Sequence, residues 1–479
     1  MAELHELGAI ELATAIREGR TTSRAALEHL LDRIGRLDRT VNSVVTLDAD
    51  RARREADAAD AALAAGDVHG PLHGVPMTIK DSFSTAGMRT TSGAPELSGH
   101  VPEEDAWPVA ALRRNGAVIF GKTNLPIYAG DMQSYNEIFG TTTNPWNEAR
   151  TPGGSSGGSA AALACRFTPL EVGSDIGGSI RLPAHMSGVY GHKPTYGIVP
   201  AHGQIPGPPG TLTQADLAVA GPMARTTDDL ELALDLMSGP DRWNSPGWRL
   251  DLPASRAGRL GDFRVAAWLD DPACPVDPEV TDVFAAMLDA LGRAGADVDT
   301  SARPAVPLEK AAQRFYALLQ AALAGGYDRG EIDRMAAATG DTPVAVTKRN
   351  TAMRHRDWLS HNESRLQMRL RFEEFFAHHD VLLLPVMPCV AFPHDHSEPM
   401  AGRIVATEAA DRAYWDVNIW MAPAGACWLP ATVVPVGVAS SGLPVGVQIV
   451  GPYLGDRTTL AFARALEAIV GPCPTPPGF

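Results

Sequence analysis

An α/β fold, with a central mixed β-sheet covered by helices on both faces, is predicted by three features of this 479-residue chain. From Leu72 onward, short apolar runs alternate with helical patterns, the arrangement of a sheet whose faces are covered. The first sixty-odd residues read as helices. The composition, 45% hydrophobic and 20% charged, suits a globular chain with a large core.

The elements follow in order. Thr22 is placed to cap a helix in which Leu27, Leu30, Leu31 and Ile34 share one face. Arg51 to Ala65 is alanine-rich with mixed charge, a second helix that Gly66 and Gly70-Pro71 terminate. Val75 to Ile79 reads as a strand delivering Lys80 and Asp81 at its end. Trp107 to Asn115 is helical, and Ala117 to Phe120 is a short buried strand. Further strands are expected at Leu170–Val172, Phe263–Trp268, Val381–Pro385, Ala431–Val436 and Val445–Val450. The stretch 240–400 is irregular, with helices at Leu308–Leu323 and Arg365–Phe376 among proline-rich loops. There is no internal repeat and no clean linker, so the chain reads as one domain.

The formal charge of -15 gives solubility and argues against a nucleic-acid surface. The five cysteines, Cys165, Cys274, Cys389, Cys427 and Cys473, include no CxxC pair, which suits a reduced cytoplasmic protein. Glu3 and Glu6 sit where a secretory leader would be basic. The apolar stretch Val433 to Ile449 is broken by Pro435, Gly437, Gly442 and Pro444, so no membrane span is expected.

The chemistry concentrates between Thr151 and Thr195. Thr151-Pro-Gly-Gly-Ser-Ser-Gly-Gly-Ser159 opens onto the small residues Ala160 to Ala164, and Gly173-Ser-Asp-Ile-Gly-Gly-Ser-Ile-Arg-Leu-Pro-Ala184 follows. Two glycine-rich loops presenting hydroxyls suit a site where backbone N–H groups approach a ligand closely. Taken alone, either run also reads as a tight turn or a phosphate loop.

Together with Thr78-Ile79-Lys80-Asp81 upstream, these segments resemble the amidase signature family. That family includes fatty acid amide hydrolases, malonamidases and the amidotransferase subunit that makes glutaminyl-tRNA. The resemblance extends over Pro71 to Tyr196 and through Gly121-Lys-Thr-Asn124 and Phe139-Gly-Thr-Thr-Thr-Asn-Pro-Trp146. It returns in Gly221-Pro-Met-Ala-Arg-Thr226 and Gly442-Leu-Pro-Val-Gly-Val-Gln-Ile-Val-Gly451. It implies a Ser–cis-Ser–Lys triad: Ser179 as nucleophile, Ser155 as the serine whose preceding peptide bond is cis, and Lys80 as general base. It also places the oxyanion hole on the amides of Ile176, Gly177, Gly178 and Ser179, and puts the backbone near Ala129 beside the nucleophile, with Ala129, Gly130, Asp131 and Met132 as substrate contacts. One departure is visible. The cysteine common before the family's Gly-x-x-Gly turn is replaced in Met186-Ser-Gly-Val-Tyr-Gly-His192.

Physical logic makes the same demands. A serine hydroxyl is a poor nucleophile until a neighbour removes its proton. A lysine performs that task only when neutral, so its pKa must fall from about 10.4, and an apolar strand end flanked by Val75, Met77 and Ile79 favours that. Ser155 would relay the proton to Lys80 and return it to the leaving nitrogen. Glycines at 177 and 178 let successive N–H groups aim at one oxyanion. Asp175 and Arg181 are expected to pair and hold that loop, with Ser156 and Ser174 supporting it.

Other motifs read as decoys. Gly116-Ala-Val-Ile-Phe-Gly121-Lys122-Thr123 has the letters of a phosphate loop, but its middle is the buried strand itself. His378-His379-Asp380 and His394-Asp395-His396 read as solvated polar residues rather than a metal site, with no HExxH nearby. No metal or cofactor is expected.

The expected organisation is one amidase-signature domain over 1–479: a helical segment 1–65, a catalytic core 70–235, a variable pocket region 240–425 and C-terminal core elements 426–479. Ile127–Tyr135, Gln204–Leu212 and parts of 310–425 are the pocket candidates, with Phe315, Tyr316, Trp415, Trp420 and Trp428 as aromatic candidates. The leading expectation is a cytoplasmic serine hydrolase of carboxylic amides, with esters and carbamates accessible to the same site, no nucleic acid, no membrane and a homodimer left open. Its alternatives are an amidotransferase subunit in a tRNA-dependent complex and an inactive binding protein on the same scaffold.

Overall fold

A computed structural model describes residues 3–205, 207–472 and 474–479; Cys473, and Pro206 within the Gln204–Leu212 segment, lie outside the described residues. The strands used below are β1 (Val44–Leu47), β2 (Pro76–Lys80), β3 (Val118–Thr123), β4 (Leu170–Asp175), β5 (Tyr190–Lys193), β6 (Val219–Ala224), β7 (Val265–Ala267), β8 (Val298–Asp299), β9 (Val381–Pro385), β10 (Ala431–Val438) and β11 (Pro444–Val450).

The N-terminal helices form as their caps require. Thr22 accepts a hydrogen bond from Ala25 N–H at 3.0 Å and starts the helix Ser23–Val41. Asn42 ends it in the left-handed conformation, with φ 58°. Leu27, Leu30 and Ile34 are buried along one stripe, as the spacing predicts. Asp48 caps the next helix, Ala49–Ala64, through Arg51 N–H.

The main sheet has eight strands in the order β8-β7-β9-β11-β10-β5-β6-β4. β7 pairs in parallel with β8 and β9, and the remaining neighbours pair antiparallel. Every residue of β4, β6, β9 and β11 is buried, so both faces are covered, as mixed sheets with near-continuous apolar strands require. In a refinement of the expected single sheet, β1, β3 and β2 form a second, three-stranded sheet. β2 meets the edge strand β4 of the main sheet, where Thr78 N–H donates to Thr168 Oγ1 at 3.1 Å. The lysine and the nucleophile loop therefore belong to different sheets, held edge to edge.

The helix expected at Arg365–Phe376 is longer, His355–Phe376. Its N-terminal turns are polar and lie on the surface, so apolar periodicity marks only the C-terminal part, where Phe372, Phe375 and Phe376 are buried. Among the described residues no helix is long and apolar enough to cross a membrane.

Candidate active site

β2 ends at Lys80, and its amine is fully buried. Lys80 Nζ lies 2.7 Å from Ser155 Oγ, 2.9 Å from Ser156 Oγ and 2.9 Å from Ser174 Oγ. No carboxylate bonds it directly among the described residues. Burial pushes its pKa down to about 7, against the opposing fields of Asp175 and Glu171. A protonated amine would donate to all three hydroxyls. A neutral amine has two N–H bonds and one lone pair, so one hydroxyl must then donate into Nζ. Ser155 makes the shortest contact and is the natural donor.

Ser155 and Ser156 precede the buried helix Gly157–Ala164, and the Gly154–Ser155 peptide bond is cis. Gly154 is a glycine for a packing reason: a Cβ there would lie 2.6 Å from Asp131 O and from Gln133 N. The 131–133 backbone is thus pressed directly against the serine loop. Ser156 bridges the two loops, since its N–H donates to Ser179 O at 3.2 Å and its hydroxyl accepts from Ser174 N–H at 3.3 Å.

Ser179 follows β4 on the turn that leads into the helix Arg181–Ser187, and is 8% exposed. The structure gathers Lys80, Ser155, Ser156 and Ser174 into one hydrogen-bonded cluster with Ser179 beside it. No hydrogen bond joins the Ser155 and Ser179 hydroxyls among the described residues. The turn is held by Asp175. Its carboxylate accepts from Arg181 Nε and Nη2, both at 3.0 Å, and from Gly178 N–H at 2.9 Å. Burial pushes the Asp175 carboxyl up, but the Arg181 guanidinium outweighs it and holds it below the usual carboxylate range. Arg181 Nη1 also donates to Met421 O and Gln448 Oε1, each at 3.2 Å, tying the turn to β11.

One of the four amides expected to form the oxyanion hole is already engaged. Gly178 N–H is engaged by Asp175, because that bond fixes the turn, which leaves the N–H groups of Ile176, Gly177 and Ser179 without a partner among the described residues. Gly178 has a φ of 110°, and a Cβ there would lie 2.9 Å from Met421 Cγ, so the position requires glycine on both counts. Asp175→Asn should lower stability by about 3 kcal/mol, because it leaves a buried guanidinium unpaired. The urea midpoint, at unchanged m-value, is the measurement.

The segment around Ala129 is only partly as expected. Tyr128 and Ala129 have φ of 51° and 57°, and Tyr128 OH donates to Glu96 at 2.6 Å. Asp131 is buried, and its carboxylate pairs with Arg403 at 2.6 Å and accepts from Tyr414 OH. It therefore anchors this segment to Arg403 and Tyr414. Met132 is 2% exposed.

Sequence reasoning missed Leu319, Asn418 and Met421, which wall the nucleophile turn. Asn418 Nδ2 donates to Gly177 O, and Leu319 Cδ2 lies 3.7 Å from the Cβ position of Gly177. All three fall in the 310–425 segment named as pocket, but no periodicity singles them out. The aromatic candidates all pack in or against the main hydrophobic core. Phe315 packs on Gly425, Trp420 on Trp268 with centroids 5.8 Å apart, and Trp428 on Tyr196 at 5.1 Å, while Tyr316 OH donates to Trp415 O at 2.6 Å.

The decoys have structural employment. β3 runs through Gly121-Lys122-Thr123, and Lys122 is buried, donating to Phe83 O, to Thr85 Oγ1 at 2.8 Å and to Thr90 Oγ1 at 3.2 Å. His379 stacks on Phe375, Asp380 pairs with Arg264 at 2.7 Å, and His396 stacks on Tyr135. Cys165, Cys274, Cys389 and Cys427 are buried, and burial pushes each thiol up, so none is an activated thiolate.

The site is thus a cluster of hydroxyls around a buried amine, beside a serine on a glycine turn. The Amidase family model matches residues 25–460, and the chain belongs to that family. Two relatives, each named as a subunit of glutamyl-tRNA(Gln) amidotransferase, are similar over nearly their whole length. The Roseiflexus sp. protein is 33% identical over 98% of this chain and 97% of its own. The Acidothermus cellulolyticus protein is 34% identical over 98% and 95%. Among solved structures, one described as an amidase superposes with a TM-score of 0.79 at 29% identity, covering 97% of this chain and all of that one.

Proposed function

We propose that this chain opens a carboxylic amide by acyl transfer to Ser179, with Ser155 and Lys80 as its proton relay. The observation behind the reading is the buried Lys80 amine, its pKa near 7, bonded to three hydroxyls and, among the described residues, to no carboxylate. Ser179 Oγ attacks the carbonyl carbon of the amide. Its proton passes to Ser155 Oγ as the Ser155 proton passes to Lys80 Nζ. The oxyanion is met by free N–H groups of the 176–179 turn, each such donor being worth about 3–4 kcal/mol in comparable enzymes. The proton then returns through Ser155 to the amide nitrogen, the C–N bond breaks, and an acyl-enzyme remains.

Water then takes the acyl group from Ser179 in either case, and the fate of the released nitrogen defines two readings. In a free-standing hydrolase the amine or ammonia leaves to solvent, for which the match to a solved amidase is the support. In an amidotransferase subunit the released ammonia is passed on, and the names of the two curated relatives favour this second reading. Those names include a tRNA, so the chain's acidic balance is no ground for excluding a tRNA-dependent assembly.

The shared step is tested by intact mass and peptide mapping after fluorophosphonate treatment. A single adduct on Ser179 is expected; an adduct elsewhere, or none alongside chelator-sensitive hydrolysis, sinks the assignment. The two fates are then separated by ammonia release from glutamine against hydrolysis of anilides and aliphatic amides by the chain alone. Preference for glutamine supports the subunit reading, and anilide hydrolysis with glutamine untouched removes it.

A further inference from the structure

Behind the amine lies a second buried charge that the reaction scheme above does not use. Glu171, on β4, is fully buried. Its carboxyl accepts from Thr78 Oγ1 and, at 3.2 Å, from Val172 N–H. The hydroxyls of Ser159 and Thr123, 2.8 Å apart, face it as well. No arginine or lysine bonds it directly among the described residues. Thr78 and Lys80 stand two apart on β2 and so project from the same side of that strand. The hydroxyl that grips Glu171 is thus the neighbour of the amine on the same face.

We propose that Glu171 is a positioning residue for the acyl-transfer step: it clamps β2 through Thr78 and supplies a negative charge facing the Lys80 amine. The proposal rests on the reading of Lys80 as the base. A buried carboxyl held only by hydroxyls and one amide is costly to ionise unless cations are close. Lys80 and Lys122 are the cations it faces. Lys80 in turn faces Glu171 and Asp175, the latter clamped by Arg181 and near Lys193. Lys122 also faces Asp81, Asp105 and Arg113. Without Glu171, Lys80 would keep only a carboxylate already neutralised by Arg181. It would then lose its proton more readily and be a weaker base. Burial pushes the Glu171 carboxyl up to about 7, against the hydroxyls of Thr78, Ser159 and Thr123 that favour its anion.

The test is the pH dependence of the rate of Ser179 phosphonylation by a fluorophosphonate, which needs no knowledge of the substrate. It is run on the full chain as wild type, Glu171→Gln and Thr78→Val. The wild-type rate should rise through neutral pH. In Glu171→Gln the acid limb should move about half a pH unit lower, with a reduced plateau. Thr78→Val keeps the carboxyl but removes a hydroxyl that stabilises its anion, and should move the limb the same way by less. A merely structural role would lower the plateau and leave the limb in place, and that result overturns the proposal. If Glu171→Gln does not fold, an unmoved limb in Thr78→Val overturns it instead. A wild type that is not labelled on Ser179 defeats the Ser179 assignment, a different outcome from an unmoved limb.

Discussion

Ser179→Ala is expected to reduce amide cleavage by about 10⁴- to 10⁶-fold while leaving the unfolding midpoint within experimental error of wild type. The size follows from how such residues act. Nucleophile and base work as a unit, so removing the attacking oxygen forfeits the whole covalent route and leaves only binding and oxyanion stabilisation. The stability expectation follows from the structure. Among the described residues no side-chain hydrogen bond of Ser179 holds the turn, which Asp175 fixes through Arg181 and the Gly178 N–H, and Ser156 is bound through the Ser179 backbone carbonyl. Alanine keeps that carbonyl. Steady-state hydrolysis of whichever amide the wild type accepts, with a urea titration alongside, gives both numbers. A variant retaining more than about one hundredth of wild-type activity would place the nucleophile elsewhere.

What the sequence disclosed, and what it hid, divides along the range of the interactions involved. Local patterns were readable. The strand ending at Lys80 came within a residue of its observed bounds, Pro76–Lys80, because five apolar or β-compatible residues between a glycine-rich turn and a charged pair have few other uses. The Asp175–Arg181 pair was readable because both members flank one turn. Contacts between distant segments were not. Arg403 meets Asp131 across 272 residues, and nothing in either neighbourhood points to the other. The ion pair that anchors Asp131 was therefore not legible from its neighbours. The division into two sheets was hidden for the same reason: β2 and β4 read alike as buried strands, and only the tertiary arrangement puts them edge to edge rather than in one ladder. The engaged Gly178 N–H belongs here too, because a glycine pair announces that amides can converge, not which of them the protein itself occupies.

Lys80→Met is expected to cost about 10³- to 10⁵-fold in kcat/KM and, more tellingly, to abolish the neutral limb of the pH profile. In the wild type only the neutral amine can accept the Ser155 proton. With its pKa brought down to about 7 by burial, activity should climb with pH, reach half its maximum near neutrality and level off above about pH 8. The sign is fixed by the base role: a lysine that acted only as a fixed positive charge would lose its effect as pH rose through the same value, and activity would fall. Methionine keeps the apolar length of this fully buried side chain, so the chain should remain folded. Its thioether neither accepts the Ser155 proton usefully nor titrates. Residual activity in the variant should therefore rise only with hydroxide, without a plateau. A Lys80→Met enzyme whose profile still turns at neutral pH would show that another group, with the buried Glu171 carboxyl the first to examine, sets the ionisation on which the reaction depends.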